Sequence, residues 1–234
     1  MIRQAENLRE EKSHSVSLSA DMYRRFGAFQ CNLLLEGFYT RLNHVFVLEE
    51  IGKDEEHNAV IKERRNGQGA EVAGVTVEGK VAYLSLVQLQ AGVTWQKSHY
   101  TRPEKWSKDS SVPAEKRIFR TPDWYGYFTA TYSPVKPLNI ALSGTYTGSM
   151  IVQHMKGYIP KDIAVTTPDF FDMNLKISYD FSLYKFITLQ LNAGIQNIFN
   201  AYQRDFDRGK ERDSGYIYGP SMPRSYFAGA KLMF

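Results

Sequence analysis

Apolar and polar residues alternate with a period of two along most of the chain. Between Leu138 and Met150 the even positions are apolar or glycine, and the odd positions are small and mostly polar. The same alternation returns at 171–181 and at 187–196. Successive side chains of a β-strand point to opposite faces, so this pattern predicts antiparallel strands with one apolar and one polar face.

The alternation predicts about nine strands, several of them longer than is usual in soluble sheets. They are expected at 14–26, 29–48, 59–84, 87–100, 121–133, 138–154, 169–182, 186–198 and 223–234. About ten residues of tilted strand suffice to cross a bilayer. The predicted fold class is all-β.

The connections between these strands alternate in length. Short turns follow the first, third, fifth and seventh strands, for example at 27–28 and 183–185. Long polar loops follow the second, fourth, sixth and eighth strands, at 49–58, 101–120, 155–168 and 200–222. All short turns therefore lie at one end of the sheet and all long loops at the other, which is typical of up-and-down outer-membrane barrels.

Composition adds little that conflicts with this picture. The mean hydropathy is −0.40, and no apolar run in the 234 residues is long enough for a membrane-spanning helix. Aromatic residues make up 14% of the chain and cluster near strand ends, and Tyr and Trp favour the membrane–water boundary. The net charge of +4 is spread along the chain, which does not indicate a nucleic-acid partner. Cys31 is the single cysteine, so an intramolecular disulfide is impossible.

Several short segments of the chain carry motifs beyond the alternation. Residues 196–202 (Gln-Asn-Ile-Phe-Asn-Ala-Tyr) are similar to the segment that ends the penultimate strand in the family of TonB-dependent outer-membrane receptors. Residues 219–229 resemble the start of its final strand, and the chain stops on Phe234, as such receptors usually do. Residues 7–13 (Asn-Leu-Arg-Glu-Glu-Lys-Ser) resemble a signature that precedes an earlier strand.

The resemblance implies an antiparallel, up-and-down transmembrane β-barrel segment that is incomplete on its own. Its strands would be the last part of a barrel of about 22 strands. Residues 1–234 would form the C-terminal part of the receptor barrel, and the plug domain, the TonB-binding segment and the signal peptide are expected to be absent from it. The odd strand number agrees, because bacterial single-chain barrels almost always have an even number.

The resemblance also implies a function in the bacterial outer membrane. The chain would supply barrel wall and ligand-capturing extracellular loops to a TonB-energised importer of a scarce, bulky nutrient such as an iron chelate, haem, cobalamin or a glycan. Expected partners are outer-membrane lipid, lipopolysaccharide and the barrel-assembly machinery, with the TonB complex acting only through the missing plug. A soluble β-sandwich binding module and a small passive porin remain alternatives, because soluble strands also alternate.

Orientation and loop position select candidate residues. Polar positions opposite the apolar face are expected to face the lumen: Glu36, Gln90, Thr94, Thr145, Asn174, Lys176, Gln190 and Asn192. Candidate extracellular loop residues are Glu49, Glu50, His57, His99 and His154, for which solvated loop positions are the alternative interpretation. One face of the final strand resembles a signal to the assembly machinery and carries Tyr226, Ala228, Ala230, Leu232 and Phe234.

Catalytic and cofactor-binding patterns are missing from the sequence. None of the histidines forms a pair with metal-ligand spacing, and no serine–histidine–acid spacing occurs. Asp169 and Asp172 are three residues apart, so a strand would place them on opposite faces. We therefore expect no enzyme activity, no cofactor and no metal site.

Overall fold

The computed structural model describes residues 2–54 and 59–234, in which the regular secondary structure is β-strand. The strands are β1 (Ile2–Gln4), β2 (Lys12–Phe26), β3 (Phe29–Asn43), β4 (Phe46–Asp54), β5 (Ala59–Asn66), β6 (Ala70–Tyr83), β7 (Val87–Glu104), β8 (Glu115–Arg117), β9 (Trp124–Val135), β10 (Leu138–Thr147), β11 (Ile151–His154), β12 (Ile163–Thr166), β13 (Phe170–Tyr184), β14 (Ile187–Gln196) and β15 (Ser225–Met233). A helix long and apolar enough to span a membrane does not occur among the described residues.

The main sheet follows the order β15-β14-β13-β10-β9-β7-β6-β3-β2, and β8 pairs with β7. The nine strands of this path correspond to the nine predicted strands, so the predicted all-β antiparallel fold is confirmed. The path begins at β15 and ends at β2, and among the described residues the sheet does not close into a barrel. Two smaller sheets pair β1, β5 and β4, and β11 with β12.

The chain divides into two compact units, each built from separate segments. Unit 1 contains Met1–Ser17, Phe38–Gly74 and Lys97–Ile118. Unit 2 contains Leu18–Gly37, Val75–Gln96 and Phe119–Phe234.

The apolar face of unit 2 is continuous from strand to strand. Leu142 on β10 lies opposite Ala130 on β9 and Leu175 on β13, and Leu175 lies opposite Ile195 on β14. Directly opposite residues in an antiparallel pair share a face, so the alternation predicted from the sequence is present in the sheet.

Large apolar side chains on this face stay uncovered. Leu191 is 44% exposed, and Leu89 and Phe181 are each 43% exposed. A soluble sandwich would bury such a face between two sheets, whereas a membrane wall presents it to lipid. The uncovered face gives no support to the soluble alternative.

The opposite face of unit 2 is polar. Gln90 on β7 lies opposite Thr129 on β9, Thr129 lies opposite Ser143 on β10, and Ser143 lies opposite Asn174 on β13. This row places two of the predicted lumen-facing residues, Gln90 and Asn174, on one face of the sheet.

Two of the predicted strands are divided by breaks that lie within unit 1. The prediction of one strand over 29–48 is wrong, because β3 ends at Asn43 and His44 adopts a positive φ of 56°. Asn66 donates from Nδ2 to the carbonyl oxygen of His44 (2.8 Å), and β4 then pairs with β5. The predicted strand 59–84 is accordingly divided into β5 and β6. Bonds between distant residues make these breaks, so the alternation could not locate them.

The predicted strand 138–154 is also divided, into β10 and β11. The backbone N–H of Gly148 donates to the carbonyl oxygen of Trp124 (2.8 Å) after β10 ends at Thr147. A Cβ at position 148 would lie 2.7 Å from that same oxygen, so the close approach requires glycine.

Unit 1 contains a carboxylate–guanidinium cluster beside the β4–β5 hairpin. Arg65 on β5 donates to Glu49 on β4 and, at 3.4 Å, to Glu104, which also accepts the backbone N–H of Gln68 (2.8 Å). Partial burial opposes the charged form of Arg65, but the two carboxylates outweigh it and raise the pKa of Arg65 above its ordinary value.

Candidate functional site

Most of the buried side chains of unit 2 lie in two long connections rather than in the main sheet. The connection 148–169 joins β10 to β13, and 197–224 joins β14 to β15. We call these two segments the loop pair. Its apolar core contains Met150, Val152 and Tyr216, with Val165 and Tyr218 packed against them. Val152 is completely buried and Tyr216 is 4% exposed, so the loop pair has a core of its own.

His154 at the end of β11 joins the two connections. Its Nε2 atom lies 2.9 and 3.0 Å from the two carboxylate oxygens of Asp207. The side chains of His154 and Asp207 are 7% and 2% exposed. Because an ionised carboxylate only accepts hydrogen bonds, the Nε2 atom is the donor. The imidazole also stacks on the ring of Tyr216, with centroids 3.7 Å apart and planes 7° apart.

A second carboxylate, that of Asp213, also joins the two connections close to His154. Asp213 accepts the backbone N–H of Met155 on Oδ2 (2.8 Å) and that of Gly215 on Oδ1 (2.8 Å). The backbone N–H of Asp213 donates in turn to Asp207 (2.9 Å). Asp213 thus connects the hairpin formed by β11 and β12 to the turn that carries Tyr216.

Asp205 accepts hydrogen bonds from two tyrosines of the same connection. The hydroxyl of Tyr216 donates to Oδ2 (2.8 Å) and that of Tyr218 to Oδ1 (2.7 Å). Partial burial opposes ionisation of Asp205, but the two phenol donors outweigh it and lower the pKa of Asp205. Burial and the bonded carboxylate raise the pKa of Tyr218 to about 12, and the same two causes raise the pKa of Tyr216 above its ordinary value.

Gln203 and Arg120 hold the backbone of the Tyr216–Tyr218 segment. The side chain of Gln203, which is 1% exposed, donates to the carbonyl of Tyr216 (3.0 Å) and accepts the N–H of Tyr218 (2.9 Å). The guanidinium of Arg120 donates to the carbonyls of Ile217 (2.7 Å) and Gly215. Its position also brings the end of a third long connection to the loop pair.

The base of the second connection is closed by Asn197, which is 4% exposed and has a φ of 51°. Its Nδ2 donates to the carbonyls of Ala201 (3.0 Å) and Met222 (2.9 Å), and its Oδ1 accepts the N–H of Ala201 (2.8 Å). The N–H of Asn197 donates to Asn174 on β13 (3.0 Å). We call these contacts the Asn197 clasp. They give the 196–202 motif a structural role.

The predicted loop candidates do not form one cluster. His154 lies in the loop pair of unit 2. In unit 1, Glu49 contacts Arg65, and the Nε2 atom of His99 lies 3.7 Å from Glu71. Only the backbone of Glu50 is described, in β4, and His57 lies outside the described residues.

The predicted lumen-facing residues form local pairs on the polar face of unit 2. Gln90 donates to the hydroxyl of Tyr127 (2.9 Å), Thr94 shares a hydrogen bond with Thr76 (2.9 Å), and Gln190 donates to Asp180 (2.8 Å).

Register places the other predicted lumen candidates of β10, β13 and β14. Thr145 lies opposite Asp172, Lys176 opposite Gly194, and Asn192 opposite Ser178. Glu36 lies on β3.

A cavity of about 300 Å³ opens among the strands of unit 2 near the short turns. Polar residues that line it include Gln30, Asn32, Lys80, Gln90 and Thr129. Asn32 on β3 donates a hydrogen bond to Asp21 on the neighbouring strand β2.

The final strand keeps the orientation that the sequence predicts. Tyr226, Ala228, Ala230 and Leu232 lie opposite Ile195, Ala193, Leu191 and Leu189 of β14. These positions continue the apolar face, and Phe234 follows the strand with 89% exposure.

Sequence reasoning missed the residues that surround His154. Asp205, Asp207, Asp213 and Tyr216 belong to a loop without periodicity, so no local signal marked them. Within the described residues, no group of three His, Cys, Asp or Glu side chains is placed to hold a metal ion.

Comparison with protein-family models gives one match, "TonB dependent receptor-like, beta-barrel", over residues 2–198. A comparison with curated protein sequences finds no match.

Solved structures share the fold. The ferric-catecholate import receptor Fiu from E. coli K12 is 18% identical with a TM-score of 0.60, and covers 97% of this chain and 28% of its own. The FrpB iron transporter from Neisseria meningitidis is 13% identical with a TM-score of 0.60, and the match covers 100% of this chain and 33% of the transporter. The ferripyoverdine receptor of the Pseudomonas aeruginosa outer membrane is 13% identical with a TM-score of 0.63, and the match covers 95% of this chain and 27% of the receptor. The chain thus spans about a third or less of the length of these structures.

Proposed function

The chain belongs to the family of TonB-dependent receptor β-barrels of the outer membrane, and we propose that it contributes barrel wall and ligand-capturing loops to a TonB-energised importer. Its nine main strands are the last part of a larger barrel of about 22 strands. The open sheet path and the share of the solved receptors that the chain covers support this arrangement. Membership of a receptor family supports a role in transport rather than in catalysis.

The charge distribution of the loop pair carries the proposal about ligand. The carboxylates of Asp205, Asp207 and Asp213 are engaged by hydrogen bonds inside the loop pair. Basic residues of the same connection are exposed, namely Arg204, Arg208, Lys210 and Arg212. With these three carboxylates engaged and four bases exposed against one further exposed acid, Glu211, the surface offers an excess of cationic donors, which favours a bulky anionic ligand.

An aromatic contact adds to this surface. The guanidinium of Arg204 lies 5.2 Å from the ring centroid of Tyr202. A planar cation over an aromatic ring suits an anionic chelate that carries flat groups. We therefore propose an anionic iron chelate as the nutrient, ahead of haem, cobalamin or a glycan.

Binding of defined ferric chelates to the outer-membrane protein that carries this chain tests the proposal. Anionic and neutral chelates are titrated against the protein and against an Arg208→Gln/Lys210→Gln variant. The variant is expected to bind the anionic chelate about tenfold more weakly, since exposed ion pairs contribute up to ~1 kcal/mol each. A Lys136→Gln/Lys185→Gln variant, changed in two short turns, serves as the control. Equal affinity of the loop variant and the control for the anionic chelate would contradict the proposal.

The remaining partners are proposed on the same basis. The polar face and its cavity would contact the plug, through which the TonB complex acts. The barrel-assembly machinery would bind the final strand, where Tyr226, Ala228, Ala230 and Leu232 present one apolar face.

A further inference from the structure

A row of ionisable side chains crosses four neighbouring strands of unit 1. Arg41 on β3 lies 3.8 Å (Nε to Oε1) from Glu71 on β6, and His99 on β7 lies 3.7 Å (Nε2 to Oε2) from the same carboxylate. Arg117 on β8 lies directly opposite His99 in the register of β7 and β8. We call Arg41, Glu71, His99 and Arg117 the outer row.

The outer row lies on the apolar side of its strands. Along β3, Leu33, Leu35 and Tyr39 precede Arg41 at alternating positions and therefore share its face. The neighbouring Thr40 points the other way, because its hydroxyl shares a hydrogen bond with Ser15 (2.9 Å) on the polar side. His14, next to Ser15 on β2, faces outward with Arg41 for the same reason.

The row is accessible and carries an excess of positive charge. The side chains of Arg41 and His99 are 52% and 40% exposed, and Glu71 is 27% exposed. Arg117 is also exposed. One carboxylate is shared between Arg41 and His99, whereas two guanidinium groups are permanently charged.

The position of the row points to a lipid headgroup. Tyr39, which is 41% exposed, lies on the same face two residues before Arg41. Exposed tyrosines on the lipid side of a barrel mark the membrane–water boundary. The side chains that follow such a tyrosine toward the long loops lie at the level of the outer-leaflet headgroups.

We propose that the outer row binds the phosphate groups of a phosphorylated outer-leaflet glycolipid through Arg41 and Arg117. Guanidinium groups present forked donors that match phosphate oxygens, and the apolar positions below the row contact the acyl chains. Glu71 opposes this binding by its own charge. The interaction is separate from nutrient transport, because it uses the outward face of unit 1 and not the loop pair.

The test uses the outer-membrane protein that carries this chain, purified in mild detergent. Binding of fluorescent diphosphoryl lipid A is measured for the wild type and for an Arg41→Gln/Arg117→Gln variant. Loss of two basic contacts near the membrane surface is expected to weaken binding about tenfold. Glu71→Gln is expected to tighten it about threefold, because one opposing charge is removed. Binding of a phosphate-free analogue is expected to stay unchanged in both variants.

The Lys136→Gln/Lys185→Gln protein is the matched control for loss of two positive charges. Heat-modifiable gel mobility establishes that each variant is folded, and if the double variant fails this check, Glu71→Gln alone decides. Unchanged diphosphoryl lipid A affinity in the folded variants would overturn the proposal. Displacement of the lipid by millimolar inorganic phosphate would also overturn it, because it would indicate a site for the free anion. Chelate binding measured on the same samples separates this result from the transport proposal.

Discussion

The Nε2 atom of His154 lies within 3.0 Å of both carboxylate oxygens of Asp207, although 53 residues separate them in the chain. The two side chains are almost completely buried. This single contact connects two successive long loops, and the stack of His154 on Tyr216 adds an aromatic contact at the same point.

Removal of one partner of this pair is expected to loosen both loops. Asp207→Ala leaves the buried Nε2 donor of His154 without its acceptor, and an unsatisfied buried donor costs about 1–3 kcal/mol. Hydrogen exchange across 148–169 and 197–224 should accelerate, while the strands stay protected. Glu211→Gln, an exposed change in the same loop, is the control. Exchange in the Asp207→Ala protein that matches the control would refute a structural role for the pair.

The stability of the loop pair is expected to decrease at acid pH, where Asp205 becomes protonated. The pKa of Asp205 is lowered in the folded state, so its contribution is fully present above the unfolded value of about 3.9. That contribution decreases as the pH falls through the folded pKa. Loop exchange measured between neutral pH and about pH 3 should reveal the loss. In Asp205→Asn the acid-dependent part should vanish, and its persistence would assign the effect to another group.

At alkaline pH the stability of the loop pair is expected to depend on Tyr218. The pKa of Tyr218 is raised to about 12, so its contribution is present below the ordinary value of about 10 and is lost as the pH rises toward 12. The difference in tyrosinate absorbance between the wild type and Tyr218→Phe should therefore show a group that titrates well above 10. A difference spectrum with an ordinary tyrosine midpoint would argue against the Asp205 contact.

The Asn197 clasp is expected to be sensitive to both conformation and hydrogen bonding. Asn197→Gly keeps the positive φ accessible but removes the side-chain bonds to Ala201 and Met222. Unpaired buried groups cost about 1–3 kcal/mol, so the stability of the β14–β15 end should fall by that amount. Asn197→Ala should lower this stability further, because alanine disfavours a positive φ. Equal stabilities of the two variants in denaturant titrations would exclude the conformational part.

Gly194 on β14 is expected to tolerate no side chain. A Cβ there would lie 2.3 Å from the carbonyl oxygen of Leu175 and 2.5 Å from the ring of Phe227. Gly194→Ala should therefore cost about 1–3 kcal/mol in unfolding free energy through overpacking. Gly79→Ala is the matched control, since no atom lies within 4 Å of its Cβ position. A Gly194→Ala protein as stable as the control would show that the strands can separate without cost.

Deletion of Phe234 tests the proposed assembly role of the final strand. In the outer-membrane protein that carries this chain, the deletion should reduce insertion, measured as heat-modifiable protein in membrane fractions. Phe227→Leu, a change on the opposite face of β15, is the comparison for a general effect on the strand. Normal insertion of the Phe234 deletion would contradict the assembly role.

The period-two alternation by itself determined the all-β fold, the nine main strands and the assignment of their two faces. Rows such as Gln90, Thr129, Ser143 and Asn174 follow from that period, because a strand's side-chain direction is a local property. The motif at 196–202 and its neighbours were sufficient to indicate the family.

Only the tertiary structure decided how the loops are built. The partners of His154, Asp205 and Asn197 lie in other turns or other connections, and such pairing follows no period that the sequence could display. The breaks at His44 and Gly148 have the same origin, since each is accompanied by a hydrogen bond to a distant residue, from the Asn66 side chain at His44 and to the Trp124 carbonyl at Gly148. Local side-chain direction is encoded residue by residue, whereas the contacts between loops depend on where the completed strands bring their ends.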